Sequence, residues 1–139
     1  MFTGIVTGVG RIVAANARGG DLDLAVATPG ELMERLRVGD SIAVQGVCLT
    51  VTRREPDAFR ADVSAETLAR TTLGTLAGGG ARVNLEPSLR AGDPLGGHLV
   101  SGHVDAVGRV VEAREDARSW RMRFELPAAL ARFAAPKGS

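Results

Sequence analysis

Apolar and polar residues alternate in short runs along this chain, and glycine or proline breaks nearly every run. Residues 2–14 place valine and isoleucine at alternate positions around Gly4, Gly8 and Gly10, the pattern of a strand bent by glycine at a barrel corner. Asn16 to Gly20 reads as a turn. From Asp21 to Thr28, Leu22, Leu24 and Val26 alternate with Asp23 and Ala25, which predicts a half-buried strand with the second set facing out. Leu32, Met33 and Leu36 then take helical spacing behind Pro29, so a helix is expected over 29–37, ended by Gly39-Asp40. Ser41 to Arg53 reads as one strand, Asp57 to Ser64 as another, and Ala65 to Ala69 as a short helical turn with a capping segment at Ser64–Thr67. Ala81 to Glu86 closes the domain. The expected fold class is all-β: a small closed Greek-key barrel of about six strands, with short helices.

The same pattern then starts again. Gly4-Ile5-Val6-Thr7-Gly8-Val9-Gly10-Arg11-Ile12-Val13 matches Gly102-His103-Val104-Asp105-Ala106-Val107-Gly108-Arg109-Val110-Val111 at an offset of 98. Without a gap, Pro29 falls on Pro127, Leu32 on Leu130 and Ser41 on Ser139, and ten of 38 aligned positions are identical. Leu22, Leu24 and Val26 meet Trp120, Met122 and Phe124, so strand phase is kept. Two Val/Gly-rich strands alike in composition alone would not share the Pro-x-x-Leu that follows. The expected organisation is a complete barrel over 1–97 and the first part of a second copy over 98–139. The turn-rich stretch Leu89 to Gly97 joins them. A partial barrel leaves strand edges and apolar faces uncovered.

Composition narrows the function classes. Seventeen basic residues against sixteen acidic ones give a net charge of +1, which offers no basis for a nucleic-acid or anionic-membrane partner. Five aromatics with no basic-aromatic face argue against a barrel that binds RNA. No apolar run approaches the roughly 18 residues of a membrane span, and the first residues lack a signal-peptide pattern. The lone Cys48 cannot make an internal disulfide, which fits a reducing, cytoplasmic compartment. The glycines at 96, 97 and 102 form turns, and no G-x-G-x-x-G opens a helix, so a dinucleotide site is not expected.

Five segments carry a family resemblance. They are Met1-Phe2-Thr3-Gly4-Ile5-Val6, Gly46-Val47-Cys48-Leu49-Thr50-Val51-Thr52, Glu66-Thr67-Leu68-Ala69-Arg70-Thr71-Thr72-Leu73-Gly74, Val83-Asn84-Leu85-Glu86, and Gly96-Gly97-His98-Leu99-Val100-Ser101-Gly102-His103-Val104-Asp105. In order and spacing they resemble the riboflavin synthases of the lumazine-dismutating type. The resemblance implies two similar six-stranded barrels, a homotrimer, and no metal or organic cofactor; for a shortened form, pairing of two first barrels as a dimer is the expectation. It implies a reaction in which one 6,7-dimethyl-8-ribityllumazine gives a four-carbon unit to another, yielding riboflavin and 5-amino-6-ribitylamino-uracil. It also implies a site between the first barrel of one subunit and the second barrel of its neighbour. A chain lacking most of the second barrel is then expected to bind lumazine or riboflavin without turning it over.

The residues suit that chemistry. The reaction removes a proton from the lumazine 7-methyl group and holds two rings face to face, so orientation supplies much of the acceleration. His103 is the expected catalytic residue, since imidazole titrates near neutrality; its other reading is a histidine bonded to backbone at a domain junction. His98 shares the motif and has the same two readings. Phe2, Gly4, Val6, Ser41, Cys48, Thr50, Asp62, Ser64 and Thr67 are the expected substrate-binding residues. Cys48 reads equally as a small core residue, Thr50 as a strand former, Ser64 and Thr67 as a helix cap, and Phe2 as plain core. A non-catalytic lumazine protein is the nearest rival. Such proteins depart from the synthase pattern around His98–His103, which this chain keeps. A reductase barrel would need a phosphate-binding partner domain.

Overall fold

A computed structural model describes residues 1–138; Ser139, the repeat partner of Ser41, lies outside the described residues. The chain forms two compact units, Met1–Val104 and a second that begins at Asp105.

The first unit is a closed six-stranded barrel with a few short helices. Its strands are β1 (Gly8–Arg18), β2 (Asp21–Ala27), β3 (Ser41–Val44), β4 (Val47–Arg54), β5 (Ala58–Val63) and β6 (Arg82–Pro87). They close in the order β1-β2-β5-β4-β3-β6, with every adjacent pair antiparallel. Inward residues of all six strands share one core with Leu32, Met33 and Leu36 of the helix α1 (Gly30–Arg35) and its end, and with Leu73. The helix starts where Pro29 gives a fixed φ and its carbonyl accepts the Leu32 and Met33 N–H groups. Two further short helices, α2 (Ala65–Arg70) and α3 (Leu73–Leu76), link β5 to β6.

Four expectations change. The turn expected over Asn16 to Gly20 is confined to Gly19-Gly20, because Asn16, Ala17 and Arg18 belong to β1 and pair with Asp23, Leu22 and Asp21. The bent first strand begins at Gly8, not at residue 2, and Met1–Thr7 is a separate segment. The run Ser41–Arg53 is a hairpin rather than one strand, because Gln45 and Gly46 take φ of 52° and 81°. That is the two-residue type I′ geometry whose twist suits paired strands. Asp23 and Ala25 do not face water: they are 9% and 1% exposed. Arg60 stands opposite Ala25 on β5 and reaches along β2 to Asp23 (3.0 Å), while its Nε meets Glu55 (2.7 Å), so one guanidinium covers the outward side of β2. Glu55 and Asp23 together raise the Arg60 pKa above its ordinary value.

Gly10 permits the closure. A Cβ there would sit 2.7 Å from the Ala27 carbonyl oxygen and 2.8 Å from the Leu85 side chain, so β1 crosses β2 and β6 at a distance only glycine allows.

Among its described residues the second unit holds one hairpin, β7 (Arg109–Asp116) with β8 (Ser119–Glu125), and a single 3-10 turn at Ala131–Phe133. Every pair of the hairpin repeats a β1–β2 pair at the offset of 98. Arg11 opposite Ala27 becomes Arg109 opposite Glu125, Ala15 opposite Leu24 becomes Ala113 opposite Met122, and Arg18 opposite Asp21 becomes Asp116 opposite Ser119. The bulge between Ile12 and Ala14 recurs between Val110 and Glu112. The Leu32 N–H to Pro29 carbonyl bond (3.0 Å) recurs as Leu130 N–H to Pro127 (2.9 Å). Among the described residues no helix is long and apolar enough to cross a membrane.

Candidate functional site

The amino-terminal segment is tied down at several points of the barrel unit. Phe2 exchanges both backbone hydrogen bonds with Val100 (2.8 Å each), and the residue is 1% exposed. The Leu89 N–H donates to the Met1 carbonyl (3.0 Å), and the Thr7 N–H to the Leu85 carbonyl (2.9 Å). Glu86, buried at the end of β6, accepts from the Thr3 N–H, the Thr3 hydroxyl and the Gly4 N–H at 2.6, 2.8 and 3.1 Å.

The His98–His103 stretch meets this segment at Gly102. The Cys48 N–H donates to the Gly102 carbonyl (2.9 Å). Gly102 has φ 76°, and an added Cβ would stand 2.9 Å from the Cys48 Cβ and 3.1 Å from the Phe2 ring. Three of the motifs therefore converge on one packed point made of Phe2, Cys48 and Gly102. Beside it opens a groove of about 270 Å³, lined by Phe2, Gly4, Val6, Ala43, Gly46 and Gly102 among others.

A second group of candidates lies on the outward side of β3, β4 and β5. Ser41 faces Thr50 and Ala43 faces Cys48 across the β3–β4 ladder. Val47, Leu49 and Val51 point into the core, which leaves Cys48 half-buried and Thr50 exposed on the outer face. On β5, Asp62 is exposed between buried Ala61 and Val63. The β4–β5 ladder runs from Arg54–Phe59 to Val51–Ala61 and stops. Both strands run on past it, so Thr50 and Asp62 flank a stretch where β4 and β5 are no longer ladder partners. Ser64 follows directly. Its hydroxyl accepts from the Thr67 N–H (3.2 Å) and lies 3.0 Å from the Thr67 hydroxyl, capping α2. Two expected ligand residues thus also perform the capping role that their types suggest.

Cys48 belongs to both groups, opposite Ala43 on the outer face and bonded to Gly102. His103 follows Gly102 directly; its backbone N–H donates to the Ser101 hydroxyl (3.2 Å), and its imidazole is exposed. His98 is also exposed, in the loop after Leu95, and does not join either group. Among the described residues no cluster of three or more His, Cys, Asp or Glu has metal-binding geometry. Sequence reasoning missed two features. One is Glu86 as an anchor, signalled only by a carboxylate closing the alternating run Val83-Asn84-Leu85. The other is the unzipped end of the β4–β5 ladder, for which the sequence carries no local signal.

Comparison with known proteins bears on this arrangement. The family described as "Lumazine binding domain" matches residues 3–88. The riboflavin synthase of Mycobacterium tuberculosis (strain ATCC 25618 / H37Rv) is 48% identical over 141 aligned positions, covering all of this chain and 69% of that protein. The riboflavin synthase of Photobacterium phosphoreum is 40% identical over 139 residues, again across the whole chain. This chain spans 63% of the length of that relative. Among solved structures, LumP complexed with riboflavin superposes with a TM-score of 0.84 at 27% identity, covering 95% of this chain and 71% of that one. LumP complexed with 6,7-dimethyl-8-(1'-D-ribityl) lumazine gives 0.81 at 26% identity, covering 96% and 71%. With the barrel, the family match and similarity along the whole of this chain in agreement, the chain belongs to the lumazine-binding-domain family that includes the riboflavin synthases.

Proposed function

We propose that this chain is a riboflavin synthase polypeptide whose barrel binds 6,7-dimethyl-8-ribityllumazine on the outer face of β3, β4 and β5. The observation that carries this reading is the unzipped end of the β4–β5 ladder, flanked by Thr50 and Asp62 and continued by Cys48 and Ser64. Strand edges without ladder partners offer backbone donors and acceptors to a heteroaromatic ring. Ser41, Thr50, Ser64 and Thr67 offer hydroxyls to a ribityl chain, and Phe2, Gly4 and Val6 line the groove shared with Ala43, the neighbour of Cys48 across the β3–β4 ladder.

The reaction is a dismutation of two identical molecules. The donor loses four carbons and leaves as 5-amino-6-ribitylamino-uracil; the acceptor gains them and becomes riboflavin. No atoms enter or leave and no outside oxidant is required. His103 follows Gly102 of the Phe2–Cys48–Gly102 contact directly and is assigned the proton transfer at the lumazine 7-methyl group. His98 is assigned to the substrate-binding set on its motif alone. In this reading residues 1–97 are the first lumazine-binding barrel and 98–139 the first part of a second. The repeated register, bulge and Pro-x-x-Leu turn support that division. A full-length subunit with two barrels assembles as a homotrimer and the shortened form as a dimer of first barrels, in the cytoplasm with Cys48 reduced.

The second reading is a lumazine- or riboflavin-binding protein without turnover. It is favoured by the likeness to LumP, whose structures carry those ligands. Incubating the chain with 6,7-dimethyl-8-ribityllumazine separates the two. Riboflavin absorbance growing with time supports the synthase reading. A saturable fluorescence change with no riboflavin supports the binding reading. A flat response in both channels rejects both.

A further inference from the structure

We propose that Glu86 is a positioning residue of the ligand groove, holding the amino-terminal segment as one of its walls. The inference rests on the ligand-binding reading above.

Strand alternation puts Glu86 on the same outward side of β6 as the exposed Arg82 and Asn84, yet Glu86 is only 8% exposed. What its carboxylate meets there is the amino-terminal segment. One oxygen accepts both the Thr3 N–H and the Thr3 hydroxyl, and the other accepts the Gly4 N–H. A buried carboxylate is costly unless its lone pairs are satisfied. Here three donors from two consecutive residues satisfy them, in charge-assisted bonds that are roughly twice as strong as neutral ones. The carboxylate is thereby spent on the segment, so its role is to hold the wall.

The rest of the segment depends on that hold. Gly4, Ile5 and Val6 are exposed, and the first ladder-side bond to β6 is made only at Thr7. Upstream, Phe2 is fixed by its bridge to Val100 and packs within reach of Gly102, which is bonded to Cys48. Releasing Thr3 and Gly4 loosens Gly4 and Val6 on one side and removes a support of the Phe2–Gly102–Cys48 contact on the other. A sequence reading would class Glu86 as the polar end of a strand; the three converging donors assign it to the site.

The test titrates 6,7-dimethyl-8-ribityllumazine into the full chain and its Glu86→Gln and Glu86→Ala variants, with amide exchange measured on the same samples. Removing three bonds to a charged acceptor is expected to weaken binding about tenfold or more in Glu86→Ala. The loss is smaller in Glu86→Gln, which keeps one carbonyl acceptor for Thr3. Exchange should quicken within residues 1–7 while β4 and β5 keep their protection. Unchanged affinity in Glu86→Ala overturns the inference. So does a loss of affinity that comes only with lost protection throughout β4 and β5, since Glu86 would then serve the fold alone. Failure of the unaltered chain to bind lumazine overturns the ligand-binding reading itself, and the positioning role with it.

Discussion

The β1–β2 and β7–β8 hairpins have the same register and the same bulge, and opposite burial. Val26 on β2 is 0% exposed, while Phe124, its counterpart on β8, is 57% exposed; Leu24 is 1% and Met122 48%. Pairing is therefore a property of the two strands and their turn, whereas burial is supplied by neighbours. In the barrel those neighbours are β5, alongside the whole of β2, and β6, alongside the start of β1. Among the described residues β7 and β8 pair only with each other. An isolated two-stranded hairpin is marginal in water, because half of its pleated surface is apolar and unpacked.

The largest effect that tests this contrast is removal of matched aromatic side chains. Phe59 on β5 is fully buried and stands opposite Val26. Phe59→Ala is expected to cost about 3–5 kcal/mol by loss of burial and creation of a cavity. Phe124→Ala, on the open hairpin, should stay within about 0.5 kcal/mol. Urea unfolding followed by circular dichroism reads the barrel. Trp120, the chain's single tryptophan and 63% exposed on β8, reads the second unit by fluorescence. Comparable losses from the two substitutions would mean that Phe124 is buried in solution, and the contrast would fail.

A smaller effect lies at the paired glycines. Gly10 and Gly108 occupy equivalent positions and approach equivalent carbonyls, those of Ala27 and Glu125. An added Cβ would come within 2.7 Å of the first and 3.1 Å of the second. At Gly10 it also meets Leu85 and Val26 at 2.8 and 2.9 Å, so the methyl has nowhere to go. Gly10→Ala is expected to destabilise the barrel by about 1–3 kcal/mol, as overpacking does. Gly108→Ala should cost less, because one wall is the Leu126 side chain at 3.3 Å, on a residue that is itself half exposed. Equal thermal shifts for the two variants would show that β7 is as tightly enclosed as β1.

This pair also marks what the sequence could and could not reveal. The Gly-x-Gly spacing, the alternation and the Pro-x-x-Leu turn were legible because strand phase and tight turns are local properties. The Gln45–Gly46 turn was lost in a longer run, since Gln is an unusual residue for positive φ and a two-residue turn interrupts alternation only briefly. Asp23 and Ala25 looked outward because alternation does not foresee a long arginine folding over a strand from its neighbour. At the site, the residues of each motif were legible, but their meeting was not. Cys48, Gly102 and Phe2 are far apart in sequence and touch only because the barrel closes. Glu86 and the end of the β4–β5 ladder depend on that closure too.

The smallest effect concerns charge at a repeated position. Arg109 on β7 makes a two-pronged contact with Glu125 (3.0 and 2.6 Å), yet both side chains are well exposed, at 74% and 59%. Its counterpart Arg11 faces Ala27 on one side and Arg82 on the other, and donates to the Gly80 carbonyl (2.8 Å). Like charges directly opposite on neighbouring strands are unfavourable, so at this position the barrel carries a small penalty where the hairpin has a pair of opposite sign. Because exposed pairs are screened by solvent, Glu125→Ala should change stability by less than about 1 kcal/mol. Ala27→Glu places a carboxylate opposite Arg11, on the side of β1 away from Arg82. It is expected to raise the thermal midpoint slightly at low ionic strength, with the gain fading as salt shortens the reach of charge. A gain that persists in high salt would have to come from packing at the half-buried position 27. A loss would mean that the close approach of Gly10 to the Ala27 carbonyl leaves β2 no freedom for a longer side chain there.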